Sequence, residues 1–353
     1  MSSLIALAER RRAKGLSQGD LAGVAGVTRQ AIAAIESGKA QPGVAVALAI
    51  ARALGASVED LFGEPAQGRI EARMAPATMP RAALAIVEGR LVARPLGSDP
   101  SHPEPAGAVV ASMHDGRAEL EALADSQRLS STVFLAGCEP AVGLLAGHVS
   151  ARGAHGVWFA GTNREALADF TAGRVHVAAL HGSSAEVERL LRRIQNTQVD
   201  LFELASIEEG WIVAAGNPLK LRGARDLART DVRLANRASG SAARALFDSE
   251  LRKAGITGEG INGYRRALGS HADVARAIAF GYADVGVGVA GVAAAFNLNF
   301  IPLRSERCVL AVRHGDRRHL GVAAMVAALR SNAFRRDLAA FGPYDTTRLG
   351  ESR

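Results

Sequence analysis

Along the chain, apolar positions first recur with helical spacing between Leu16 and Lys39, in LSQGDLAGVAGVTRQAIAAIESGK. Two short helices joined by a tight turn fit this stretch. Ser17 and Thr28 stand where N-caps belong, and Gly26 occupies the turn, where a positive φ carries no steric cost for glycine. In the second helix Val27, Ala31, Ile32 and Ile35 form the inward stripe, leaving Gln30, Ala33, Ala34 and Ser37 outside. Pro42 opens a further helix over Val44 to Leu54. A short one, Val58 to Phe62, closes the bundle, with Leu48, Leu54, Leu61 and Phe62 expected in its core. From Gly63 to Pro80 the periodicity is lost among three prolines, which predicts a linker.

Beyond Ala82 the pattern changes to strands. ALAIVEGRLVARPL predicts a hairpin around Glu88 and Gly89, and GAVVASM another short strand after the proline-rich loop Ser98 to Gly107. From Thr132 strands and helices alternate. TVFLA and GVWFA precede helices ending near Ser150 and Ala172, VHVAAL ends at HG, and VDLFELA and GWIVAAG read as two extended segments. Later come DVRLAN, helices over Ser241 to Lys253 and His271 to Phe280, strands at ADVGVGV, NFIPL and RCVLAV, and a last helix from about Leu320. This rhythm predicts an α/β unit.

The outward face of the second helix carries chemistry suited to DNA. Arg29 and Gln30 form bidentate hydrogen bonds to base edges, while Ala33 and Ala34 let a helix sink into the major groove and touch thymine methyls. Thr28 joins them at the start of the reading helix, and Gln18, Ser37 and Lys39 are placed for phosphates. Gln18, Leu21, Ala22, Gly26, Val27, Ile32, Glu36 and Gly38 together resemble, in register, the helix-turn-helix of the Cro/phage-repressor type, the Xre family. The resemblance covers about residues 1 to 62 and implies double-stranded operator DNA as partner, with Glu36 paired to Arg11 on the first helix. Because one such module reads only a few base pairs, a homodimer is expected.

The 353 residues, 48% apolar, suffice for two or three domains with real cores. Lys and Arg outnumber Asp and Glu by 42 to 35, giving +7, but the first 62 residues hold only seven bases against five acids. Most of the excess therefore lies downstream, which suggests either a positive surface or an anion-binding domain. The two cysteines, Cys138 and Cys308, make neither a disulfide framework nor a metal knuckle, so a reducing cytoplasm is expected. The most apolar later stretch, Ala275 to Phe300, is interrupted by Arg276 and Asp284, and no membrane span is expected.

Several turns of the α/β unit place small or hydroxyl residues where a strand ends and a helix opens, an arrangement that points backbone N–H groups at an anion. They are Gly137, Cys138 and Glu139; Gly161, Thr162 and Asn163; Arg237, Ser239, Gly240 and Ser241; and Ser270 with His271. Taken singly, Thr162, Ser239 and Ser270 are ordinary N-caps. Arg237 offers a planar fork to a carboxylate or sulfonate, or else a surface salt bridge. His181 and His271 offer hydrogen bonds to an anion, His181 alternatively being a core or capping histidine, and Tyr264 a cleft wall. Glu139 either compensates a helix dipole or recognises a cationic part of a ligand. Cys138 reads as a small buried residue, with a redox sensor as the alternative.

The segments LAGCEPAVGLLAG, GRVHVAALHG, EGWIVAAGNP, LANRASGSAARALFDSEL and INGYRRALGSHADVARAIAFGYADVGVGV resemble a type 2 periplasmic-binding-protein fold, in the version fused to DNA-binding domains in molybdate-binding-like regulators. That resemblance covers about residues 80 to 340 and implies two α/β lobes around a ligand cleft. It also implies an anionic ligand: molybdate, tungstate, or an organic sulfonate, phosphonate or carboxylate. Where the family often has Gly-Ser-Gly-Thr-Arg, this chain has Gly240, Ser241, Ala242, Ala243 and Arg244, which leaves room for an organic tail.

The expected architecture is therefore multidomain: an all-α helix-turn-helix domain over 1–62, a linker over 63–80, a β-rich connecting region over 81–130, and a bilobal α/β ligand domain over 131–345. The second lobe spans about 217–305. The expected function is a one-component DNA-binding regulator whose small anionic effector changes operator binding, with no other cofactor. The rival is a DNA-associated enzyme using the cleft. Against it, the linear sequence has no metal-spaced cluster, no nucleophile elbow and no GxxxxGK motif, so neither catalytic nor metal residues are assigned.

Overall fold

The computed structural model describes all residues other than 1–6, 9, 13, 38, 57, 63–68, 75–79, 98–103, 195–197 and 353. It divides into two units, Met1–Ser131 and Thr132–Arg353. Gly38 and much of the expected linker fall outside the described residues.

In the first unit, helix α1 (Gln18–Ala25) is started by a reciprocal cap. The Ser17 hydroxyl accepts from Asp20 N at 3.1 Å and the Asp20 carboxylate accepts from Ser17 N at 2.7 Å. Gly26 ends α1 at φ 66°, and Thr28 caps α2 (Arg29–Glu36) by accepting from Ala31 N. With α3 (Val44–Leu54) and α4 (Val58–Phe62) these helices enclose Leu21, Ile32, Ile35, Ile50, Leu54 and Leu61. Leu48 departs from its expected core position and is 42% exposed. The inward stripe of α3 is Ala47, Ile50, Ala51 and Leu54, and Leu48 falls one residue off that spacing.

A five-stranded antiparallel sheet follows, in the order β1-β5-β4-β2-β3. Its strands are β1 (Arg69–Arg73), β2 (Arg81–Val87), β3 (Arg90–Pro95), β4 (Ala108–His114) and β5 (Arg117–Ala122). Glu88 and Gly89, both at positive φ, turn the expected hairpin. Two strands were not expected. β1 lies inside the stretch read as a linker, and β5 follows an Asp115–Gly116 turn of the same positive-φ kind. Both are short and charged, so alternation alone conceals them; pairing brings Ala72 against Ala118, and both are buried. Helix α5 (Ser126–Ser131) closes the unit, with Leu129 in the core of the sheet.

The second unit is built on an eight-stranded sheet, order β11-β10-β12-β9-β13-β8-β6-β7. One end holds parallel strands β6 (Thr132–Gly137), β7 (His155–Ala160) and β8 (Val177–Gly182), and the other holds β10 (Leu234–Arg237), β11 (Ala267–Leu268) and β12 (Val285–Val289). Between them β9 (Val199–Val213) and β13 (Asn299–Arg313) run antiparallel for 15 residues each. In the sequence each looks like two separate segments, because polar residues interrupt its apolar run; in the fold Glu209 and Arg304 are partners in register across the two strands.

The helices of this unit are α6 (Pro140–Ser150), α7 (Asn163–Thr171), α8 (Ser184–Leu191), α9 (Ala242–Ala254), α10 (His271–Ala279), α11 (Ala290–Ala295), α12 (Leu320–Leu329) and α13 (Asn332–Phe341). The expected last helix is thus two, α13 starting afresh at the Ser331 cap. One core gathers Val133, Leu145, Val177, Phe202 and Leu310, and another gathers Trp211, Leu234, Phe247, Leu251 and Val285. Among the described residues no helix is long and apolar enough to cross a membrane.

Candidate functional site

In the second unit the strand ends converge on one buried polar cluster. β6 ends at Gly137, φ 155°, where an added Cβ would lie 2.7 Å from the Ala179 carbonyl oxygen of β8. This close approach excludes any larger residue and delivers Cys138 beside His181, Sγ to Nε2 2.8 Å. The other ring nitrogen of His181, Nδ1, lies 2.5 Å from Glu306 Oε2 on β13. Asn163, at the start of α7, fixes the strand end from behind: its Nδ2 donates to His181 O at 2.6 Å and its Oδ1 accepts from His181 N at 3.1 Å. Donor atoms of Cys138, His181 and His271, the last at the start of α10, all lie within 4.8 Å of one another.

Burial and charge set the protonation of this cluster. Burial works against a charged His181, but Cys138 and Glu306 outweigh it and raise its pKa well above the ordinary histidine value. Burial likewise opposes an ionised Glu306, yet His181, Glu209 and Arg304 draw its pKa down to about 2. Glu209 goes the other way, pushed up to about 8 by burial and by the neighbouring Glu306. Arg304 serves both carboxyls, donating to Glu209 Oε2 at 3.1 Å and pairing with Glu306. Burial raises the Glu139 carboxyl, whose Oε1 accepts from the Tyr344 hydroxyl at 2.7 Å. Burial, Arg237 and His181 hold the His271 imidazole well below its ordinary pKa.

Arg237 stands apart within this cluster. It ends β10 with only 2% of its surface exposed, and its Nε and Nη1 have no hydrogen-bond partner among the described residues. Burial lowers its pKa, while Cys138 and Glu209 are the largest influences that favour its charge. The expected alternative for this residue, a surface salt bridge, is not what the fold builds. Next to the cluster a cavity of about 440 Å³ is lined by Asn163, Arg164, His181, Glu186, Arg189, Arg193, Gly240 and Ser241, with His181 common to both.

Other residues singled out in the sequence have different places. Thr162, Ser241 and Ser270 are N-caps, accepting from Glu165, Arg244 and Asp273 N respectively. Glu139 caps α6 through Ala141 N. Ser239 and Gly240 lie exposed in the turn before α9. Tyr264 does not line the cavity; it packs on α9, donating to Asp248 at 3.2 Å beneath the Arg244 guanidinium, 4.3 Å from its ring centre. Cys138 is half-buried with its sulfur in a polar contact, rather than a small apolar filler. Sequence reasoning overlooked Glu209, Arg304, Glu306 and Tyr344. The signal for three of them was a pair of strands carrying charges where an apolar run was expected.

In the first unit Arg11 grips Glu36 through Nε at 2.6 Å and Nη2 at 3.2 Å and donates Nη1 to the Leu16 carbonyl. Gln18, expected at a phosphate, instead donates its amide to Glu36 Oε2 at 2.8 Å. The Ser37 hydroxyl donates to Ala34 O. Thr28, Arg29, Gln30, Ser37 and Lys39 are exposed, while Ala33 and Ala34 are half-buried between them.

Residues 146–330 match the family described as PBP superfamily domain, and residues 7–61 match the helix-turn-helix family. An uncharacterized protein, YvgK of Bacillus subtilis, is 28% identical over 190 residues, 52% of this chain and 61% of that one. The chain thus spans under two thirds of that relative's length. An uncharacterized HTH-type transcriptional regulator of Methanothermobacter thermautotrophicus is 49% identical over 55 residues, 15% of this chain and 80% of that one. Among solved structures, the sulfate-binding protein SubI of Mycobacterium tuberculosis aligns at 15% identity and TM-score 0.47, covering 61% of this chain and 86% of that chain.

Proposed function

The chain belongs to the PBP superfamily, and from that premise we propose that it is a one-component DNA-binding regulator whose second unit binds a small organic anion and thereby changes operator binding. The observation that carries this reading is the buried Arg237 with two unpartnered nitrogens. Each buried donor left without an acceptor costs about 1–3 kcal/mol, and an uncompensated buried charge costs more. A carboxylate, sulfonate or phosphonate removes that cost. Three exposed arginines, Arg164, Arg189 and Arg193, line the adjacent cavity and favour the arrival of an anion.

Operator DNA is read by the exposed α2 face, Arg29 and Gln30 contacting bases, in a homodimer spanning two half-sites. The effector acts by binding one arrangement of the two lobes better than the other. The test is thermal unfolding against a panel of molybdate, tungstate, sulfate, phosphate, sulfonates, phosphonates and carboxylates, followed by operator binding with each. A saturable shift worth about 2.7 kcal/mol at 100 times the dissociation constant is expected for the effector class. An operator affinity unmoved by any anion that stabilises the protein overturns the regulatory half of the reading.

A second reading, catalysis in the cleft, is favoured by the line from Cys138 through His181 to Glu306, the order of nucleophile, base and orienting carboxylate. Chemical conversion of a bound anion, abolished by Cys138→Ser, is the result that would select it.

A further inference from the structure

We propose that Cys138, His181 and His271 form a binding site for a thiophilic divalent metal ion of the zinc class. The three come from distant parts of the sequence and from three kinds of position: the turn after β6, the end of β8 and the first residue of α10. One sulfur and two imidazoles meet there with all donor atoms within 4.8 Å of one another. Around a tetrahedral zinc ion, with Zn–S about 2.3 Å and Zn–N about 2.0 Å, neighbouring donors stand about 3.5 Å apart. The Cys138–His181 pair, 2.8 Å apart, opens slightly around such an ion, and no donor pair stands more than 4.8 Å apart before it binds.

Two further observations point to a ligand. His181 presents Nε2 to the cluster because its Nδ1 is held by Glu306 at 2.5 Å, the carboxylate–histidine pairing that orients and strengthens an imidazole ligand. His271, 2% exposed, has an Nδ1 with no hydrogen-bond partner among the described residues. A simple Cys138–His181 hydrogen bond accounts for those two residues and leaves His271 out; a cation that displaces the shared proton engages all three. The Arg237 charge acts on both Cys138 and His271 and opposes a cation, while the ionised Glu306 carboxylate, and a cysteine that ligates metal as its thiolate, work against that opposition. Mixed sulfur and nitrogen donors select zinc-class ions over magnesium or calcium. With three protein ligands the fourth position stays open to an exogenous group.

The inference shares the cluster with the anion reading but does not rest on it, since Arg237 is no ligand. The test uses the full chain, freed of metal by a chelator and titrated with Co²⁺ as a spectroscopic probe, then with Zn²⁺ in competition. We expect one Co²⁺ per chain with a thiolate-to-cobalt charge-transfer absorption that Zn²⁺ abolishes. Cys138→Ser removes the absorption, His271→Asn weakens Zn²⁺ binding at least 10-fold, and Glu306→Gln weakens it about 10-fold as an outer carboxylate does. His114→Ala, at an exposed histidine of the first unit, leaves all of this unchanged. Circular dichroism checks the fold of each variant, and His271→Asn decides the matter if Cys138→Ser does not fold. Absence of the charge-transfer band in the folded parent chain, or a Zn²⁺ affinity that His271→Asn leaves unchanged, overturns the proposal.

Discussion

Arg11 in the first unit and Arg237 in the second are both buried, 8% and 2% exposed respectively, and the two units treat them in opposite ways. Arg11 meets a carboxylate with two nitrogens and a carbonyl with the third, and Glu36 takes a further bond from Gln18. Arg237 is given no acceptor for Nε or Nη1. The same contrast holds for the buried carboxyls. Arg11 and Gln18 overcome the burial of Glu36 and lower its pKa, whereas burial and Glu306 push Glu209 up to about 8. A charge whose partners are complete holds a fold together. One whose partners are missing stores a binding free energy that an incoming ligand can release.

Substitutions can break this contrast. The largest effect is expected from Arg11→Ala, which strands the Glu36 carboxylate: a loss of about 3 kcal/mol in denaturant unfolding of the helix-turn-helix, with operator binding falling alongside. A loss below about 1 kcal/mol would mean that the pair is solvated and that the contrast between the arginines is false. Next, Arg237→Gln is expected to abolish the anion-dependent gain, about 2.7 kcal/mol at 100 times the dissociation constant, without lowering stability in the absence of anion, and to tighten Zn²⁺ binding. A variant destabilised with no ligand present would instead make Arg237 a structural residue.

Arg29→Ala and Gln30→Ala are each expected to remove about 2 kcal/mol of discrimination for the operator over unrelated DNA, measured by competition binding, while the anion response stays intact. The most graded effect concerns Glu209. Its pKa is raised from the ordinary value near 4.5 to about 8, so its contribution to stability is full below about pH 4.5 and is lost as pH climbs through 8. The stability advantage of the parent chain over Glu209→Gln should therefore shrink steadily as pH rises across that window. A difference flat with pH would show Glu209 to be ionised, like Glu36.

The helix-turn-helix was the most readable part of the molecule, down to Ser17, Gly26 and Thr28, because its determinants are caps, a turn glycine and a helical stripe, all of which act within a few residues. The two-lobed α/β unit was readable from its strand and helix rhythm and its resemblance to binding proteins. β1 and β5 were missed, since a short charged strand is stabilised by the partner across the sheet rather than by its own composition.

The sequence by itself thus determined the local grammar: which helices form, where they begin, and that strand ends meet helix starts in turns rich in small and hydroxyl residues. The tertiary structure decided what those turns are for. It spent the hydroxyls of Thr162, Ser241 and Ser270 on capping, sent Tyr264 to α9, and drew Cys138, His181, His271 and Glu306 into one cluster beside Arg237. Capping energies act over three or four residues and leave a mark in the sequence. The desolvation that makes a lone arginine or an extra histidine reactive depends on everything packed around it, and exists only once the chain has folded.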